Sequence, residues 1–180
     1  KVTPNGTVTT LAGQAGVAAS LDGTGTRALF NYPTGIAVDS QTNLYVADEL
    51  NSTLRKITPD GTVSTLAGLA GNWGYVDGVG SAARFAFPYA VSVDGAGNIY
   101  DGDSGGVRKV TAAGAVTTLA SGVSAGSVAV DSSGNVIVVG YDNVIRKINP
   151  AGVLTIIAGS PNAIGNADGI GTAARFNGPT

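Results

Sequence analysis

The run Pro33-Thr-Gly-Ile-Ala-Val-Asp39, Asn43-Leu-Tyr-Val-Ala-Asp48, Thr53-Leu-Arg-Lys-Ile-Thr58, Thr62-Val-Ser-Thr-Leu-Ala-Gly68 consists of four short segments. Their apolar residues alternate or are β-branched, and Gly, Asn, Asp or Pro bounds each one. That pattern reads as four strands joined by tight turns, not as helix. Asp60-Gly61 between the third and fourth segments accepts the positive φ of a hairpin turn. The strands are expected at Gly35 to Val38, Leu44 to Ala47, Thr53 to Thr58 and Thr62 to Ala67.

Outward from this unit the chain repeats itself. Lys56-Ile-Thr-Pro-Asp-Gly-Thr-Val-Ser-Thr-Leu-Ala-Gly68 recurs from Lys1, Lys109 and Lys147, and the Pro33 to Asp48 half recurs from Pro88 and Ala125. The predicted organisation is one repeat domain: 1–13 as the outer strand of a preceding blade, blades at 33–68, 88–120 and 125–159, and inter-blade loops at 14–32, 69–87 and 160–180. The loops repeat too. Asp22 to Pro33, Asp77 to Pro88 and Asp168 to Pro179 share one spacing, with Phe30, Phe85 and Phe176 as anchors and one helical turn expected over the Ala-Ala-Arg-Phe piece. The third blade is entered by a short link, Ser121 to Ser124, without such a loop. A four-stranded unit of about 40 residues is the period of an all-β propeller with antiparallel blades. Three blades do not close a ring, so the sequence reads as a segment of a longer propeller, with assembly of several copies as the alternative.

The residues from Pro33 to Gly68 closely resemble the NHL repeat. The resemblance implies an NHL-type propeller, commonly six-bladed, that acts as a binding platform and in some relatives as an enzyme. The second copy departs at Tyr100-Asp-Gly-Asp103, and the third has Ala125 for the Pro and Gly140 for the Asp that ends the second strand.

Composition narrows the function. The 180 residues include 28 Gly but no Cys, His or Met, and charged residues make up 12% with a net charge of −2. A thiol nucleophile, an imidazole base and a His or Cys zinc site are excluded, and with them the zinc-dependent lyase activity of relatives that resemble this repeat. The charge gives no footprint for nucleic acid, and no apolar run is long enough to insert in a membrane as a helix. Lack of Cys and Met, with abundant small residues, fits a secreted or cell-surface bacterial protein.

A residue that every blade carries is expected to be structural, and a catalytic one unique. All ten basic residues recur with the repeat, whereas Glu49, Asp101 and Asp142 are the acids without a repeat position. Repeated Asp and Arg are expected to bond turn amides and to cover neighbouring strands. The ends of the second strands and the loops after them, with Asp48, Glu49, Asn51, Asp103, Ser104, Tyr141 and Asp142, are the candidate ligand-binding face. Asp101 and Asp103 resemble the opening of a calcium loop but lack its later ligands, and no cofactor is called for. Trp73 and Tyr75 are either anchors of their own loop or exposed aromatics for a partner. The expected function is a non-catalytic scaffold that binds a protein, with a glycan, a small ligand or copies of itself as other partners. A propeller enzyme of lyase or lactonase type with catalytic residues elsewhere, and an extracellular filament, are the alternatives.

Overall fold

A computed structural model describes residues 1–123 and 125–180. Its strands are β1 (Gly23–Thr24), β2 (Pro33–Val38), β3 (Leu44–Asp48), β4 (Thr53–Ile57), β5 (Thr62–Gly68), β6 (Gly78–Val79), β7 (Ala90–Val93), β8 (Ile99–Asp103), β9 (Gly106–Val110), β10 (Ala115–Ser121), β11 (Ala125–Val130), β12 (Val136–Gly140), β13 (Val144–Ile148) and β14 (Leu154–Gly159). Three antiparallel sheets result, ordered β1-β5-β4-β3-β2, β6-β10-β9-β8-β7 and β11-β12-β13-β14. The innermost strands β2, β7 and β11 stand side by side, as propeller blades require. Ser124, which closes the expected short link, lies outside the described residues.

The core lies between blades. Tyr45, Leu54 and Ala67 of the first blade meet Phe85, Ile99, Val110 and Val116 of the second, and Tyr100 and Val107 of the second meet Val128, Val136, Val138 and Ile148 of the third. Period-2 alternation explains this, because successive side chains of a strand point to the two neighbouring blades. Each turn between first and second strands is bound by an Asp. Asp39 accepts the Asn43 amide and Nδ2 at 2.8 Å each and the Tyr45 hydroxyl at 3.1 Å, and Asp94 repeats this set with Asn98 and Tyr100.

Each blade has the four expected strands, and the loops 14–32 and 69–87 each add a short fifth one to the outer edge of the blade they enter, with Gly23 against Val63 and Gly78 against Val116. The helical turns fall at Gly25–Arg27, Gly80–Ala82 and Gly171–Ala173, ahead of the Ala-Arg-Phe piece, because the Phe must stay extended to reach the blade. Over residues 1–13 the backbone forms a Val2–Val8 bridge but no longer strand.

One turn carries strain. Thr42 has φ +64°, whereas the corresponding Gly97 and Gly134 have +81° and +78°. A β-branched residue is costly in this left-handed region. Thr42 is exposed, so Thr42→Gly is expected to raise stability by about 0.5–1 kcal/mol in a urea titration.

Candidate functional site

The three blades place the same Arg at the same register, opposite Val46, Asp101 and Val138. Arg55 is fully buried and bridges two acids, Asp48 and Asp22, at 2.7 Å each, while Nη2 and Nη1 also donate to the carbonyls of Leu21 and Leu29 at 3.0 Å. Its Cζ lies 5.0 Å from the Phe30 ring centre. Arg108 does the same with Asp77 at 2.7 Å, Asp103 at 3.6 Å and the Phe85 ring at 5.5 Å. The loop acids also hold the outer strands: Asp22 accepts the amide and hydroxyl of Thr65, and Asp77 those of Thr118. Burial raises the pKa of Asp22 and Asp77, but these bonds outweigh it and leave both below the usual range. Arg, loop and outer strand are therefore locked by one charge cluster in each of the first two blades. Beyond the expected cover of neighbouring strands, the guanidinium groups of Arg55 and Arg108 are themselves buried in the core.

This frame absorbs much of the candidate face. Asp48, fully buried, also accepts the Asn31 amide at 2.7 Å and Asn51 Nδ2 at 2.8 Å. Asn51 in turn donates to Ala19 O. Asp103, 1% exposed, accepts the amides of Gly105 and Gly106 at 2.9 Å each. The third blade has Gly140 where the others have Asp, and Asp142 takes over: both its oxygens meet Arg146, which holds its pKa down. Asp142, an acid without a repeat position, is thus the substitute for a missing repeat acid.

Asp101 is the unusual group. It is fully buried, and neither carboxylate oxygen has a hydrogen-bond partner among the described residues. Desolvation, then the charge of Asp103, push its pKa well above the ordinary value, with Arg108 opposing weakly. A carboxyl sealed from solvent is a poor calcium ligand. Among the described residues no group of three or more acids gathers as a metal site.

What stays accessible is aromatic. Pro33 pairs with Asp48 and Thr53 with Gly68, so the start of the first strand, the turn after the second and the end of the fourth share one face. On it Tyr32, Trp73, Phe87, Tyr89 and Tyr141 are 64%, 64%, 41%, 38% and 53% exposed. Trp73 stacks on Phe87 at 6.1 Å, and Tyr89 meets Tyr141 edge-on at 6.3 Å. Glu49 joins this group. Burial raises its pKa, its Oε2 has no partner among the described residues, and Tyr141 is raised by its own burial, then by Tyr89 and Glu49. Tyr75 is a loop anchor: its ring occupies the space a Cβ on Gly105 would fill, 1.9 Å from that position, and its hydroxyl meets Ser104 Oγ at 3.1 Å. Of the seven candidates, Ser104 and Tyr141 are exposed, Glu49 and Asp142 are half-buried, and Asp48, Asn51 and Asp103 are buried.

Tyr32, Phe87 and Tyr89 were not among the sequence candidates. The first two carry φ +57° and +56°, a conformation costly for a bulky side chain, and the equivalent third position is Gly178 at +59°. Tyr-Pro and Phe-Pro where another copy has Gly-Pro was the available signal.

An apolar groove of about 720 Å³, lined by Phe30, Ile36, Val38, Leu44 and Ile57 among others, is not on this face. It is the blade surface that, in the second and third blades, the preceding blade covers.

The NHL repeat family model matches residues 30–57. No curated protein matches the chain. Among solved structures it is similar to virginiamycin B lyase from Staphylococcus aureus, with 14% identity and a TM-score of 0.57 over 73% of this chain and 43% of that one. It is similar also to a gluconolactonase from Xanthomonas campestris, with 17% identity and a TM-score of 0.57 over 76% and 50% of the two chains. A chain of a nidogen/laminin complex matches at 17% identity and a TM-score of 0.56 over 74% and 49%. The chain spans about half the length of these structures or less, and identities this low carry the fold alone. The NHL repeat model thus covers residues 30–57, and the chain around them folds as three successive blades of a β-propeller.

Proposed function

We propose that this chain is a non-catalytic binding module that engages a protein partner through the aromatic face carrying Tyr32, Trp73, Phe87, Tyr89, Tyr141 and Glu49. The observation behind this reading is that Tyr32 and Phe87 sit exposed at positive φ, where the third copy uses Gly. Residues held in costly backbone conformations concentrate at binding and catalytic sites, and exposed Tyr and Trp are the side chains that dominate protein contacts. Packing of Trp73 on Phe87 and Tyr89 against Tyr141 pre-orders these rings, which lowers the entropy cost of binding. The nidogen/laminin neighbour shows that such a fold occurs in a protein complex. An exported setting fits the Cys- and Met-free composition.

The catalytic alternative has less support, because Asp101 and Asp103, the one unusual acid pair, are 0% and 1% exposed and out of reach of a substrate. A peptide display library and a glycan array, each screened against the wild type and a Tyr32→Ala, Phe87→Ala, Tyr141→Ala triple variant, test the proposal. Selected peptides are expected to bind the triple variant at least roughly 30-fold more weakly, as loss of an aromatic anchor of about 2 kcal/mol predicts. Binders that ignore the triple substitution, or turnover in a screen of lactones and peptide substrates, would refute it. Tyr32→Gly separates function from structure: it is expected to raise stability by about 0.5–1 kcal/mol while weakening binding.

A further inference from the structure

The third blade differs from the others at its outer edge. In the first two blades the outer strand is closed by a loop strand, β1 on β5 and β6 on β10. No such loop precedes the third blade, and among the described residues β14 pairs only with β13. The amide of Thr65 points outward to Asp22 and that of Thr118 to Asp77. The register places Ile156 at the same position, opposite Arg146 as Thr65 is opposite Arg55. Its amide therefore points outward as well, and so does that of Leu154, while Thr155 turns its amide and carbonyl toward Lys147 of β13. An Asp loop is not what this edge is built for. Ile156 has replaced the Thr that binds such an acid, and Arg146 is already engaged by both oxygens of Asp142.

Leu154 is 39% exposed and Ile156 43%, whereas Val63 and Val116, the equivalents of Leu154, are 2% exposed. Both lie on the face turned toward the second blade. Ile157 lies on the opposite face, where Leu66 and Leu119 meet the next blade in their own repeats, and is not part of the surface. From Val153 to Ala158 there is no charge and no Pro, so the usual protection of an edge strand is missing.

We propose that the outer edge of β14 is an interface for a second copy of this chain, which pairs antiparallel about Thr155. The segment is self-complementary in that register. Thr155 faces its own counterpart, Leu154 of each copy faces Ile156 of the other on one side of the sheet, and the outward amides and carbonyls of Leu154 and Ile156 form two hydrogen-bonded pairs. The symmetry is two-fold and closed, so the product is a dimer and not a filament. A single short edge buries less than a standard interface, and the expected dissociation constant is on the order of 0.1 mM.

Sedimentation velocity of the whole chain between about 10 µM and 1 mM tests this. The wild type is expected to pass from monomer to dimer. Leu154→Glu and Ile156→Lys are each expected to weaken dimerisation about tenfold, because each removes two symmetry-related pairs. An equimolar mixture of the two variants is expected to dimerise again, since the introduced carboxylate of one copy then faces the introduced ammonium of the other, and the second pair is Leu against Ile as in the wild type. Amide exchange at Leu154 and Ile156 in the wild type, slowing as concentration rises, reports the same pairing without any substitution. A wild type that stays monomeric at the top of this concentration range, or a dimer that neither variant weakens, overturns the proposal.

Discussion

Arg55→Ala is expected to destabilise the chain by about 3–5 kcal/mol, the cost of removing one partner of a buried charge pair. The side chain is fully buried, and without it Asp48 is left at 0% exposure with only the Asn31 amide and the Asn51 amide group as partners. Asp22 loses its inner anchor at the same moment. Since Asp22 also accepts the Thr65 amide and hydroxyl, the loop strand β1 is expected to loosen from β5. Arg146→Ala provides the contrast. That side chain is 12% exposed, its acidic partner Asp142 is 34% exposed, and no loop strand is tied to it. Its loss is expected to cost about 1 kcal/mol. Urea unfolding of the two variants checks the ranking. Near-equal effects would mean that burial of the Asp-Arg-Asp cluster contributes little, and a small effect of Arg55→Ala would mean that the acids are rehydrated when the Arg is removed.

The charge cluster also shows how far sequence could carry the reading. The antiparallel strands of the blades were legible because alternation and turn residues recur at one period, and neither depends on distant contacts. The clusters were legible in principle: Val46 and Asp48 lie two apart in one strand and so share a face, and Arg55 stands directly across from Val46. Parity alone turns Asp48 toward the core and away from the candidate binding face. Asp142 was readable in the same way, as an acid two residues beyond the Gly140 that lacks one. The strands β1 and β6 were not. Two residues cannot show alternation, and their pairing is decided by where the loop Asp finds the buried Arg, a contact across 33 residues. The aromatic face was hidden for another reason: exposure of Tyr32 and Phe87 follows from their backbone angle, which a sequence pattern expresses only through comparison with Gly178.

Asp101 offers the clearest link between one residue and the behaviour of the whole chain. Its position in the other blades is held by Val46 and Val138, which are 6% and 0% exposed and belong to apolar clusters on the same blade face. A carboxyl there makes no hydrogen bond among the described residues, and burying a polar group without one costs about 1–3 kcal/mol even when neutral. Asp101→Val is therefore expected to stabilise the chain by about 1–3 kcal/mol at pH 7. The pH dependence separates the charge from the packing. Burial and the neighbouring Asp103 raise the folded-state pKa of Asp101 above its unfolded value of about 3.9. The folded state then binds the proton more tightly than the unfolded state, so this residue's contribution is most favourable below pH about 4 and is lost as pH rises through the folded pKa. Carboxylates lowered in the fold, such as Asp142 beside Arg146, act in the opposite sense and lose their contribution as pH falls. In urea titrations at several pH values, the stability gap between Asp101→Asn and the wild type is expected to grow from pH 4 upward, because the amide cannot ionise. Asp101→Val is expected to add a pH-independent gain from packing. A gap that stays flat between pH 4 and 8 would show that Asp101 is solvated or paired in solution, and the sealed interface between the first two blades would then have to be drawn differently around it.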